Sequence, residues 1–564
     1  MKRWALLTLG AGLTNSVFAA WLSVCSSSGV TQMAGLLAQY SSVQGAVTSL
    51  LIGTEAMPDC ASLELPISPQ AISQGRLLSA DFAQTLAPGF GLLGSVIDRR
   101  FRISDVVPRE KKEVWHAIPA GVELSADLTA RAFGVEGRAK AIAGDGPIVL
   151  ECASGERPAG VVLQLPYSGL PHFISSALSI GYNTSGNFEW GVSDAHRDKS
   201  EVPLPLATLP AANATSLIDI PQANLDLTTV GSFTVACPTK SARLELHSLK
   251  IVPVRAAQRR PRALWVWQAS EWMETPDALL GRLTKVGADT LFTTVPVDPQ
   301  TGTVAQAALL ANFVQSAAKI GVKVWAVAGD PAAVKESERE QFSRFPIAYA
   351  RYNREMRSDA RLAGIQLDIE PYLNPGYGLA PASWQQAYIE TLLQLKRAAD
   401  IQMDVVVPFW WLEQQGGQLL ERLAPIVDTL TVMNYRTEPT QIKRFAQAFL
   451  EWGALHKRPI RIALEFGPIP DEVQRHYRLA PVGDVAMIVI GSQPALVLFD
   501  RELGFPANRK DIQVFATTHT TSVLGGTVTF ANRRQAVQSL LPELETLWSA
   551  WPSFAGVALH EFQP

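Results

Sequence analysis

Residues 364–372 read GIQLDIEPY, and the alternation within them sets the architecture of the whole C-terminal half. Successive side chains of an extended strand point to opposite faces, so Ile365, Leu367 and Ile369 share one face and Gln366, Asp368 and Glu370 the other. The apolar face suits packing beneath helices, and the polar face then turns inward, where carboxyl groups are costly unless they serve a polar site. Seven further runs share this strand character: ALWVWQ (263–268), DTLFTTVPV (289–297), VKVWAVAG (322–329), MDVVVPFW (403–410), LTVMNY (430–435), IRIALEF (460–466) and GVALHEF (556–562). Amphipathic stretches such as TPDALLGRLTKVG, AQAALLANFVQSAAKIG and TQIKRFAQAFLEWG lie between them. Eight strands alternating with helices over about three hundred residues predict a (β/α)8 TIM barrel over 262–564. An open doubly wound sheet alternates in the same way, but no glycine-rich phosphate loop follows the first strand, and the chain ends just after the eighth.

Active sites of such barrels lie at the C-terminal ends of the strands. In strand seven, Ile460, Ile462 and Leu464 face outward, leaving Arg461, Ala463 and Glu465 inside. Strand six ends in Tyr435 followed by Arg436, and strand eight in His560. Carboxyl groups thus converge on one mouth, with Trp265, Trp267, Trp410 and Trp411 near strand ends as platforms for sugar rings. Barrel core is the competing assignment for each tryptophan. No clustered Cys/His spacing marks a metal, and no cofactor motif is present. Glycoside hydrolysis needs one carboxyl group to protonate the leaving oxygen and a second group to meet the charge at the anomeric carbon. The expected catalytic set is Glu370, Asp368, Glu465 and Tyr435; the expected substrate contacts are Trp265, Trp267, Gln366, Trp410, Trp411, Arg436, Arg461 and His560.

LAGIQLDIEPY resembles the strand-four signature of the family 18, chitinase-like glycoside hydrolases, with Glu370 at the catalytic acid and Asp368 at the nearest aspartate. VMNY resembles that family's strand-six motif, placing Tyr435 at its tyrosine. Gln366 and Ala363 stand at the two outer aspartate positions, and Arg436 follows the tyrosine where the family has aspartate. A weaker similarity joins IEP around Glu370 and LEFG around Glu465 to retaining glycosidases with glutamates on strands four and seven. Both resemblances imply that Glu370 is the general acid of an exported enzyme acting on a polysaccharide. The alternative is a catalytically inactive barrel that binds polysaccharide or assists its synthesis or export.

The remaining chain divides further. Between 116 and 255, short alternating runs (GVVLQLPYS, SALSIGYN, FEWGVS, SFTVAC, RLELHSLKIVP) predict a β-sandwich. Its closing run resembles the last strands of galactose-binding-like jelly rolls, which implies a carbohydrate-binding module. Tyr182, Phe188 and Trp190 there offer a stacking platform, although sandwich aromatics more often belong to the core. PVRAAQRRPR reads as a linker. Residues 20–115 carry helix-like pieces (MAGLLAQYSSV, FGLLGSVI) and no assignable fold, and a stretch from about 473 to 530 reads as β-strands inserted after strand seven.

Lys2 and Arg3 precede an apolar run ending VFAA, which predicts a signal peptide cleaved after Ala19. The alternatives are a lipoprotein signal with a lipidated Cys25, or an uncleaved anchor from Trp4 to Val24. Each places the bulk of the chain outside the cytoplasm, in the periplasm or beyond. Four cysteines suit that compartment; Cys152 with Cys237 and Cys25 with Cys60 is one of three possible pairings. With 47% hydrophobic and 18% charged residues and a net charge of −3, the chain is globular and lacks the basic excess that nucleic acid requires.

Overall fold

The computed structural model describes residues 19–562 apart from 27–34, 79–90, 98–99, 108–116, 143–145, 168, 201, 255–260, 375–376, 378–380 and 413–416. The cleavage site's upstream residues, the apolar run and most of the linker lie outside the described residues.

Eight parallel strands close into a barrel: β1 (Arg262–Val266), β2 (Thr290–Thr294), β3 (Lys323–Ala328), β4 (Gly364–Leu367), β5 (Met403–Pro408), β6 (Thr429–Met433), β7 (Ile460–Glu465) and β8 (Phe554–His560), with β8 pairing back to β1. The alternation read from sequence holds in three dimensions. Ile365, Leu367, Ile460, Ile462 and Leu464 pack with the surrounding helices, whereas Trp265, Phe292, Val327, Val406, Met433, Ala463 and Ala558 fill the interior. The helices start where local chemistry allows. Helix Pro439–His456 has proline at its first turn and Glu438 accepting from the backbone N–H groups of Thr440 (3.0 Å) and Gln441 (2.7 Å), which satisfies two donors that otherwise lack partners.

Two antiparallel five-stranded sheets form a sandwich over Thr129–Pro253. The Cys152–Cys237 disulfide, with Cα atoms 5.7 Å apart, joins one sheet to the end of a strand in the other. Tyr182, Phe188 and Trp190 are 2%, 0% and 1% exposed in its core, so they cannot stack against a sugar. The sandwich docks on the barrel through helix Pro439–His456. Gln447 accepts from Ala120 N (2.7 Å) and donates to Ile118 O (3.0 Å), and Lys443 Nζ donates to Gly121 O (2.8 Å).

The N-terminal segment is β-structure, contrary to its helix-like reading. Ala20–Cys25, Leu36–Ser41, Val47–Gly53 and Ala61–Leu65 make a four-stranded sheet. Ile72–Leu77, Gly91–Ile97 and Arg100–Val107 join four strands of the insertion, Glu472–Leu479, Val482–Ile490, Gln493–Gly504 and Ile512–Val523, in a seven-stranded sheet. A shared core of Leu22, Leu50, Leu65, Ile488 and Val497 packs the two sheets together, so neither chain segment alone builds this domain. The lipoprotein and anchor alternatives fall mostly outside the described residues, and Ala20–Cys25 is the part of the structure that bears on them. Cys25 is disulfide-bonded to Cys60, and a sulfur so engaged cannot also carry a lipid. Residues Ala20–Cys25, the end of the supposed anchor, form a strand between Val47–Gly53 and Ala61–Leu65. Among the described residues no helix is long and apolar enough to cross a membrane.

Candidate active site at the barrel mouth

The interior is layered. Near the floor, Arg461 Nη1 donates to Asp404 Oδ2 at 2.8 Å, Thr431 Oγ1 donates to the same carboxylate at 2.8 and 3.0 Å, and Gln366 Nε2 reaches Asp404 at 3.2 Å. The guanidinium lies 4.8 Å from the Phe292 ring centre and lines a floor cavity with Pro261, Thr290 and Lys323. Gln366 is fully buried. Both were expected to contact substrate; instead they tie the barrel together at the end away from the mouth. The reason is register, because Arg461 is only the second residue of its strand and Gln366 the third.

Above this layer the carboxyl groups gather. Asp368 and Glu370 continue the inward face of β4 past its last paired residue. Gly329 after β3 makes this possible, since a Cβ there would stand 2.4 Å from the Asp368 carbonyl oxygen. Asp368 Oδ1 is buried and finds no protein donor among the described residues. Burial, and then the charge of Glu370, raises the Asp368 carboxyl well above the usual range. Burial also raises Glu370, against the pull of the Tyr372 hydroxyl, which donates to Glu370 Oε2. Two adjacent carboxyl groups in a poorly solvated place cannot both ionise cheaply, so the pair retains a proton beyond the pH where an ordinary carboxyl has lost it.

Glu465 is treated differently. Its Oε1 accepts from the backbone N–H groups of Phe466 (2.9 Å) and Gly467 (2.6 Å), and its Oε2 lies 2.6 Å from His560 Nδ1. Trp267 Nε1 donates to His560 Nε2 at 2.7 Å. Tyr435 stacks on the His560 ring with centres 6.1 Å apart. Burial and the charges of Glu465, Asp368 and Glu370 raise its phenol well above the usual value. Glu370, Tyr435, Glu465 and His560 therefore open onto one mouth.

The remaining expected contacts divide. Trp267 and Trp410 are half-buried at the rim, with Trp410 edge-on to Tyr372 at 5.1 Å. Trp265 and Trp411 are each 2% exposed, one inside the barrel and one against Tyr388; neither can offer a face to a sugar. Arg436 lies over the Phe409 ring at 4.4 Å and donates to the Tyr435 carbonyl. Sequence reasoning passed over Tyr372 and Asp404. Tyr372 lies within the quoted GIQLDIEPY run, and Asp404 has the inward parity of β5 in MDVVVPFW, so both carried a signal. No group of three or more His, Cys, Asp or Glu among the described residues could hold a metal ion.

No family model matches the chain, and no curated protein matches it. Solved structures give partial likenesses. A carbohydrate binding module of family 29 is 12% identical over 23% of this chain and 89% of its own, with a TM-score of 0.18. Another from that family, complexed with mannohexaose, is 12% identical over 24% of this chain and 88% of its own, also at 0.18. The CBM22-1-GH10 modules of Clostridium thermocellum endo-1,4-beta-D-xylanase 10B, complexed with xylohexaose, are 11% identical over 62% of this chain and 83% of theirs, at 0.24. Likenesses at these scores are too distant to carry function from those proteins to this chain.

Proposed function

We propose that this protein is an exported glycoside hydrolase acting on a polysaccharide or oligosaccharide, with Glu370 as the general acid. The observation that carries the reading is the contrast between two carboxyl environments on one barrel mouth. The Asp368–Glu370 pair is desolvated and keeps a proton to give. Glu465 is cradled by N–H donors, which suits it to facing positive charge. Protonation of the leaving oxygen falls to Glu370, with Asp368 tuning it from two residues away. Half-buried Trp267 and Trp410 supply ring faces at the rim. The family 18 resemblance agrees with this assignment of Asp368, Glu370 and Tyr435. The fixed carboxylate of Glu465 favours the second resemblance, in which it acts as the nucleophile or cation stabiliser.

Export is supported by the two disulfides, which persist in oxidising compartments. The sandwich is proposed to hold the same glycan beside the barrel. The decisive experiment incubates wild type, Glu370→Gln and Glu465→Gln with a panel of oligosaccharides and follows new reducing ends. Hydrolysis by wild type and its loss in Glu370→Gln supports the reading. Binding by all three proteins with no cleavage by any would make the barrel a non-catalytic polysaccharide-binding or assembly module.

A further inference from the structure

The indole N–H of tryptophan can only donate, so the ring nitrogen that meets it must carry a lone pair. Trp267 Nε1 points at His560 Nε2 across 2.7 Å. In the neutral ring the proton then belongs on Nδ1, the atom that faces Glu465 Oε2 at 2.6 Å. Three aromatic side chains clamp the imidazole in this pose. Trp265 meets it edge-on at 5.1 Å, Trp267 edge-on at 6.3 Å, and Tyr435 stacks at 6.1 Å with 24° between the planes. The three elements involved are adjacent in the closed sheet, with His560 level with Trp265 on one side and with Glu465 on the other.

We infer that Trp267 and His560 form a positioning relay that holds the Glu465 carboxylate in a single orientation, with His560 as the Nδ1–H tautomer. This assignment rests on the proposed glycosidase reading and deepens it. Backbone N–H groups of Phe466 and Gly467 occupy both lone pairs of Glu465 Oε1. His560 takes one lone pair of Oε2 and leaves the other, so Oε2 is the atom that meets the sugar. His560 is therefore a support behind the carboxylate and not a substrate contact. A supporting donor to a reacting ligand is typically worth about 10- to 100-fold in activity, judged from the outer-shell partners of metal ligands.

The test uses the full chain labelled with 15N at histidine, with the His560→Asn spectrum assigning the His560 resonances by difference. Wild type is expected to show the Nδ1–H tautomer at neutral pH. Trp267→Phe keeps the ring and deletes the donor; Nδ1–H still faces the carboxylate, so the freed Nε2 is expected to carry a proton as well, giving the doubly protonated form that wild type excludes. In turnover, His560→Asn keeps an N–H near the Nδ1 position and is expected to stay close to wild type. His560→Phe and Trp267→Phe are expected to lose about 10- to 100-fold in kcat with little change in KM. An Nε2–H or doubly protonated His560 in the wild type overturns the relay whatever the activity. The expected tautomer with unchanged kcat in both variants overturns the positioning role. If wild type cleaves no glycan, the glycosidase reading fails separately, and the tautomer spectra alone decide whether the lock exists.

Discussion

Replacing Arg461 with Met removes the cation from a buried pair and leaves its partner behind. Asp404 is fully buried and Arg461 side-chain exposure is 9%. Burial pushes the Asp404 carboxyl up and the Arg461 guanidinium down, each against the attraction of the other. Stripping one member from such a pair costs about 3–5 kcal/mol, because the remaining charge is left without compensation. A domain of about 300 residues unfolds with an entropy near 0.6 kcal/mol/K, so the melting temperature should fall by about 5–8 °C. Loss of Arg461 raises the folded pKa of Asp404 further. A raised carboxyl contributes stability that is complete below its unfolded pKa and is lost as pH rises through the folded one. The deficit of Arg461→Met should therefore be larger at pH 8 than at pH 5. Adding Asp404→Asn removes the orphaned charge and keeps an acceptor for Thr431, so the double variant should recover most of the loss. Differential scanning calorimetry of the three proteins at both pH values measures this. An Arg461→Met protein that melts with wild type but binds glycan more weakly would refute the floor assignment and return Arg461 to the substrate.

Other expectations concern the mouth and its supports. Glu370→Gln should lower turnover by about two to four orders of magnitude while glycan affinity, read by calorimetry, is kept; equal rates would remove Glu370 from the chemistry. Asp368→Asn should gain melting temperature relative to wild type between pH 4.5 and pH 7.5. The Asp368 pKa is raised, so wild type gives up stability as pH climbs through it and the amide does not; a gap that does not widen with pH would contradict the desolvated pair. Gly329→Ala puts a methyl 2.4 Å from the Asp368 carbonyl oxygen and should lower thermal stability and turnover together, whereas unchanged activity would show that the β4 end can yield. Trp410→Ala should weaken glycan binding with little change in melting temperature, because the ring is half-buried at the rim; a large loss of stability would class it with buried Trp411 as core.

Side-chain alternation along 364–372 and 460–466 determined the barrel, its apolar shell and the inward placement of Asp368, Glu370 and Glu465. That information is local, since a strand's parity is written in neighbouring residues. The sandwich was legible for the same reason, with its cysteines placed at strand ends. Which inward residues of neighbouring strands share a layer was not legible. Gln366 and Arg461 share inward parity with Glu370 and Glu465 and precede them by four residues, so their own strands place them nearer the floor. Which side chains of neighbouring strands meet them there, Asp404 and Thr431, is fixed only when the sheet closes. Nor could local pattern show that Ile72–Leu77 pairs with a strand at Gln493–Gly504, or that Leu22 packs with Ile488. Pairings across more than 400 residues depend on which apolar faces meet once the barrel has brought the insertion beside the N-terminus. The tautomer-fixing contact of Trp267 with His560 likewise exists only because the first and last strands of the barrel become neighbours.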